Sequence, residues 1–108
     1  MDKYDIFINE YNKLENILSQ LSGAPNDANM KWLEDTLDDI KMRNKLYLCR
    51  IMRNYIQHNT DYRKFINITD EMIDFIRYMY KLVYSKLVTV DEYMIPLKKC
   101  ILTALTYK

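Results

Sequence analysis

The sequence predicts an all-α protein, a bundle of four or five helices, and three observations predict it. Every long apolar pattern in the chain repeats at 3.6 residues, and none alternates with period 2 over a strand's length. The 108 residues include one glycine and two prolines, too few for the tight turns of a hairpin-rich β fold. Hydrophobic residues make up 49% and charged residues 29%, which suits one compact domain over residues 1–108 and not a disordered chain.

The first helix is marked by Tyr4, Phe7, Tyr11, Leu14, Leu18 and Leu21, a single stripe at alternating steps of three and four, with Asp2 placed to cap its start. Residues 22–27 gather the only glycine, a proline and four other small or polar residues, so an inter-helix loop belongs there. A second helix follows, with Trp32, Leu33, Leu37 and Ile40 facing inward below a strongly acidic outer face. Near residues 42–45 the pattern changes phase. Leu48, Ile51, Met52, Tyr55 and Ile56 then define a new apolar face, on a third helix or on a bent continuation of the second. Asn59, Thr60 and Asp61 end it, and residues 62–68 read as an irregular connection that buries Phe65 and Ile66. Thr69 or Asp70 caps a further helix with the stripe Met72, Ile76, Met79, Val83 and Leu87. Thr89 and Glu92 have capping-box spacing, so another helix is expected to start there, kinked or restarted at Pro96 and buried through Leu97, Ile101 and Leu105.

Composition excludes several functional classes. A single glycine cannot build a Walker or dinucleotide loop, which needs several to bring backbone N–H groups onto phosphates. One histidine and two scattered cysteines, Cys49 and Cys100, assemble no zinc site, and both cysteines fall in helical patterns as reduced core residues. No cofactor is expected. Charges run through the first turns, so these residues form neither a signal peptide nor a membrane span, and the expected location is cytoplasmic.

The net charge of +1 argues against polyanion binding through overall charge, but its distribution is uneven. Residues 40–60 carry Lys41, Arg43, Lys45, Arg50 and Arg53 with no acid, after a stretch holding Asp27, Glu34, Asp35, Asp38 and Asp39. On a helix at 100° per residue, Leu48, Met52 and Ile56 take the core side, with Arg43, Tyr47, Arg50, Asn54 and His58 opposite and Arg53 at the border. A solvated face would ordinarily mix acids among its bases to form i, i+4 pairs, and this one has none.

Arg53-Asn54-Tyr55-Ile56-Gln57-His58 resembles the Arg-Asn-x-x-x-His signature of HEPN domains, small helical bundles found in prokaryotic RNases, toxins and CRISPR effectors. The helix layout is similar along the whole chain, while six residues carry the likeness as sequence. Family members often place a small residue after the histidine, where this chain has Asn59. Arg43-Asn44 is not a second copy of the motif, since Leu48 stands in the histidine place.

The resemblance implies a HEPN-like fold and metal-independent endoribonuclease activity, in a toxin or anti-phage defence component. It also implies a homodimer whose active site lies between the paired domains. In such a site His58 would transfer protons during attack of the RNA 2′-OH on phosphorus. Arg53 would hold phosphate oxygens and Asn54 would orient the histidine or the phosphate. Arg43, Tyr47 and Arg50 are the RNA-binding candidates. The alternative is a non-catalytic helical module that pairs with a copy of itself, a nucleotide or a regulatory protein such as a nucleotidyltransferase-type antitoxin. A histidine in the last turn of a helix also complements the macrodipole with no catalytic duty, and Arg53 is equally an ordinary surface cation in that reading. The methionines at 30, 52, 72 and 79 read as packing, most tyrosines as core or interface, Asp38-Asp39 as helix neighbours that point in different directions with no catalytic role, and Asp70/Asp74 as caps or solvated residues.

Overall fold

The computed structural model describes residues 2–22 and 26–92, with side chains at 2–20 and 29–85. It is all-helical, with five helices among the described residues: α1 (Lys3–Ser22), α2 (Asn26–Thr36), α3 (Ile40–His58), α4 (Tyr62–Phe65) and α5 (Asp70–Glu92). α1 starts where its stripe starts. Asp2 caps it, its carboxylate accepting from the Asp5 N–H at 2.9 Å. The Asp2 carboxyl titrates below its ordinary value because that N–H, and then the Arg63 guanidinium, hold the charged form.

α1 packs most extensively on α5, and then on α2. Lys3 meets Asp70 at 3.5 Å and Glu10 meets Arg77 at 3.6 Å, so α1 and α5 run side by side in the same direction. The core lies along this seam. Phe7, Tyr11, Leu14 and Leu18 of α1 are buried with Ile73, Ile76, Met79 and Val83 of α5, and Met30, Leu33 and Leu37 close it from the α2 side. Each such apolar side chain, fully buried, contributes about 1.5–3 kcal/mol. Thr69 caps α5, its hydroxyl accepting from the Met72 N–H at 3.3 Å.

Four sequence expectations change. α2 ends at Thr36, and Asp39 caps α3 by accepting from the N–H groups of Lys41 and Met42. The break at residues 37–39 therefore precedes the expected phase change, and Ile40, taken out of α2, is 66% exposed. Residues 62–65 form the short helix α4, in which Phe65 is 68% exposed, while Ile68 is the residue this connection buries. α5 continues through Glu92, so no helix starts at Thr89. The acidic face of α2 is not wholly solvated, because Glu34 is buried. The loop residues 23–25, and Pro96, Leu97, Cys100, Ile101 and Leu105, lie outside the described residues.

A further correction, one of helix phase, concerns α3 and matters most for function. Its buried residues are Leu46, Cys49 and Met52, whereas Leu48 and Ile51, expected in the core, point to solvent. No described helix is long and apolar enough to cross a membrane.

Candidate functional site

α3 is capped by Asp39 at one end, while at the other the Asn59 N–H bonds the Tyr55 carbonyl, which puts His58 in its last turn. Within this frame Arg50 and Arg53 turn inward toward α2 and α1. Arg53 donates to the Glu15 carboxylate, Nη2 to Oε1 at 3.0 Å, with its side chain 13% exposed and that of Glu15 1% exposed. Its guanidinium also lies 5.3 Å from the ring centre of buried Tyr11. Burial, followed by the negative charge of Glu15, pushes the Tyr11 hydroxyl well above its usual titration range. Arg50 forms a two-pronged pair with Glu34, Nε to Oε2 at 2.5 Å and Nη2 to Oε1 at 3.3 Å. The bonded carboxylate raises the guanidinium pKa further.

The missing acids of α3 are thus supplied by other helices. Glu15 comes from α1 and Glu34 from α2, and Glu71 of α5 lies 3.6 Å from Lys45, whose ammonium also sits over the Phe75 ring. In the sequence Glu15 is passed over, and Glu34 counts only as one of the acids on the outer face of α2. Two signals pointed to them: a basic helix with no acid of its own, and the position of Glu15 four residues after Tyr11, between Leu14 and Leu18 of the apolar stripe.

The motif residues are divided by this arrangement. Arg53 and Asn54 are brought together: the guanidinium donates from Nη1 to Asn54 Oδ1 at 3.3 Å. Asn54 is half-buried with its carbonyl oxygen engaged by Arg53, so the NH2 group is the donor end of the amide left for another partner. His58 is exposed one helical turn later. Arg53 and His58 do not share a face, since five residues rotate the helix by roughly 140° between them. Of the RNA-binding candidates, Tyr47 is exposed with Arg50 stacked 5.3 Å from its ring centre. Arg43 spends its guanidinium on the Leu37 carbonyl, Nε at 3.1 Å and Nη2 at 2.5 Å, closing the α2–α3 corner.

On the outer side of α3, Ile40, Tyr47, Leu48 and Ile51 form an exposed apolar line that continues at helical spacing toward Asn54 and His58. Cys49 faces the other way, buried, and desolvation pushes its thiol up to about 12. Among the described residues, no three histidine, cysteine or carboxylate side chains converge as a metal-binding group. Set against known proteins, the chain matches no family model, no curated protein and no solved structure.

Proposed function

We propose that the chain is a HEPN-like, metal-independent endoribonuclease domain that works as a pair of identical chains, in a toxin or anti-phage defence role. The observation that supports this reading is the relay from Glu15 through Arg53 to Asn54, which engages the Asn54 carbonyl oxygen and leaves its NH2 as a donor one turn before the exposed His58. A hydrogen-bond donor beside a titratable imidazole suits a phosphate and an attacking hydroxyl. His58 takes the proton of the RNA 2′-OH as O2′ bonds to phosphorus. Asn54 donates to a nonbridging oxygen, which gains negative charge in the transition state. The bond from phosphorus to the 5′ oxygen breaks, and that oxygen takes a proton from the partner's imidazolium. The products are a 2′,3′-cyclic phosphate and a 5′-hydroxyl.

In this reading Arg53 is a positioning residue, its charge already met by Glu15, and it acts through Asn54. The test is cleavage of bulk RNA with a chelator present. His58→Ala should lower the rate about 10²–10⁴-fold without loss of helicity, because the side chain is exposed. DNA, which lacks the 2′-OH, should not be cut. Equal rates for wild type and His58→Ala, or a requirement for a divalent ion, would overturn the mechanism.

A second reading is favoured by the apolar line on α3: a non-catalytic module that docks on a second copy or on a partner protein through this face. RNA left intact by wild type and His58→Ala alike would select it.

A further inference from the structure

Away from α3, the seam between α1 and α5 opens on the surface into a run of adjoining depressions, the largest about 510 Å³, that share Glu10, Lys13, Asn16, Arg77 and Tyr80. From α1 it presents Asn12, Asn16 and Gln20, and from α5 Tyr80, Lys81 and Tyr84. The three carboxamides recur every four residues along this side of α1. The two tyrosines stand one turn apart with rings 6.1 Å between centres and 17° from parallel, and Tyr84 is half exposed. Lys13, Arg77 and Lys81 add positive charge, part of it on Arg77 met by Asp74 at 4.0 Å. Among the described residues of the lining Glu10 is the one acid, half-buried and held by Lys13 at 3.4 Å and Arg77 at 3.6 Å.

We propose that this α1–α5 groove is a binding track for single-stranded RNA. Stacked tyrosine faces take bases of any sequence, and lysines and an arginine take the phosphates. Carboxamides pair with the exposed edges of unpaired bases, which a duplex hides. From Asn9 to Gln20 the helix rises about 16 Å, enough for about three to five stacked nucleotides at 3.4 Å each. An ordinary solvated helix face would intersperse acids with these bases, yet beyond Glu10 toward Gln20 and Tyr84 the described lining holds none. The track is separate from the motif on α3, so it stands whether or not His58 cuts.

The test is fluorescence anisotropy of the full chain with a labelled single-stranded RNA of about ten nucleotides, in the His58→Ala background so that cleavage does not intrude. Lys81→Gln combined with Tyr84→Ala should weaken binding about tenfold or more with an unchanged helical spectrum. Lys81→Gln alone should reduce the slope of log affinity against log salt by about one. Tyr78→Ala, an equally exposed tyrosine of α5 outside the groove, should change nothing. Duplex RNA of the same sequence should bind more weakly than the single strand. Unaltered binding in the groove variants overturns the proposal, as does equal affinity for duplex. Absence of RNA binding by the parent at low salt also overturns it and leaves the face to a protein partner. Cleavage by wild type that survives the groove variants at full affinity removes the track and leaves the nuclease reading; groove binding without any cleavage does the reverse.

Discussion

The two sides of α3 invert the usual arrangement of an amphipathic helix. Its inner side carries two arginines onto buried carboxylates, Arg53 on Glu15 and Arg50 on Glu34, beside Leu46, Cys49 and Met52. Its outer side shows Ile40, Tyr47, Leu48 and Ile51 to solvent. Charges inside are costly unless they are paired and hydrogen-bonded, and an apolar line outside is unusual unless something covers it. The difference teaches that burial on α3 is set by what α1 and α2 offer, since the helix itself has apolar residues to spare on both sides.

The strongest way to break this comparison is to strand one member of the innermost pair. Glu15→Ala leaves Arg53 facing the core with its main acid removed, and Arg53→Ala does the same to Glu15, which is 1% exposed. Each should destabilise the fold by about 3–5 kcal/mol in urea unfolding, whereas Glu15→Leu with Arg53→Met should cost far less or nothing. If the double replacement kept stability but lost RNA cleavage, Arg53 would act through Asn54 and not through packing alone. A nearly neutral Glu15→Ala would show that the pair does not decide which side of α3 is buried. The Arg50–Glu34 pair is next. Arg50 is 23% exposed, so water relieves part of the loss, and Arg50→Ala should cost about 1.5–3 kcal/mol.

α1 was legible in the sequence because its apolar residues fall in one stripe: Phe7, Tyr11, Leu14 and Leu18 are buried in the order their spacing gave, and Asp2 caps them. Thr69 and the stripe of Ile76, Met79 and Val83 were legible for the same reason. α3 was not. Leu46, Leu48, Cys49, Ile51, Met52 and Ile56 surround the helix on nearly all sides, so spacing alone allows more than one inward arc. The arc is chosen by tertiary ion pairs whose acids lie 16 and 38 residues away in the chain, beyond the reach of any local pattern. The motif itself was visible as residues, but its division between an inward Arg53 and an outward His58 depended on that same choice.

The start of α3 offers a smaller lever on the comparison. Asp39 accepts from two N–H groups of the first turn, at 2.9 Å from Lys41 and 3.2 Å from Met42, and so fixes where the helix begins after the break. Removing it frays the turn that holds Ile40 and Met42 without touching either arginine pair. Asp39→Ala should therefore cost about 1 kcal/mol, and Asp39→Asn or Asp39→Ser should recover most of it. A loss several times larger would mean that the α2–α3 corner, with Arg43 on the Leu37 carbonyl, is also held by this cap.

The outer line should respond in the opposite way to the inner one. Ile51→Lys and Leu48→Lys place a charge where the isolated chain already meets water, so the stability of the monomer should change by no more than about 0.5 kcal/mol. Their effect should fall on association. An exposed apolar row on one helix pairs readily with the same row on a second copy across a two-fold axis, and a lysine in its middle opposes its own image there. Sedimentation of the wild type should show a dimer that either substitution converts to monomer, and Phe65→Lys, off this line on α4, should leave the dimer intact. Loss of RNA cleavage together with the dimer would tie the two His58 imidazoles to one site, while cleavage by the monomeric variants would put proton acceptance and donation on a single chain. A wild type that stays monomeric across accessible concentrations would instead assign the row to a different protein, and the two sides of α3 would then differ in partner as well as in polarity.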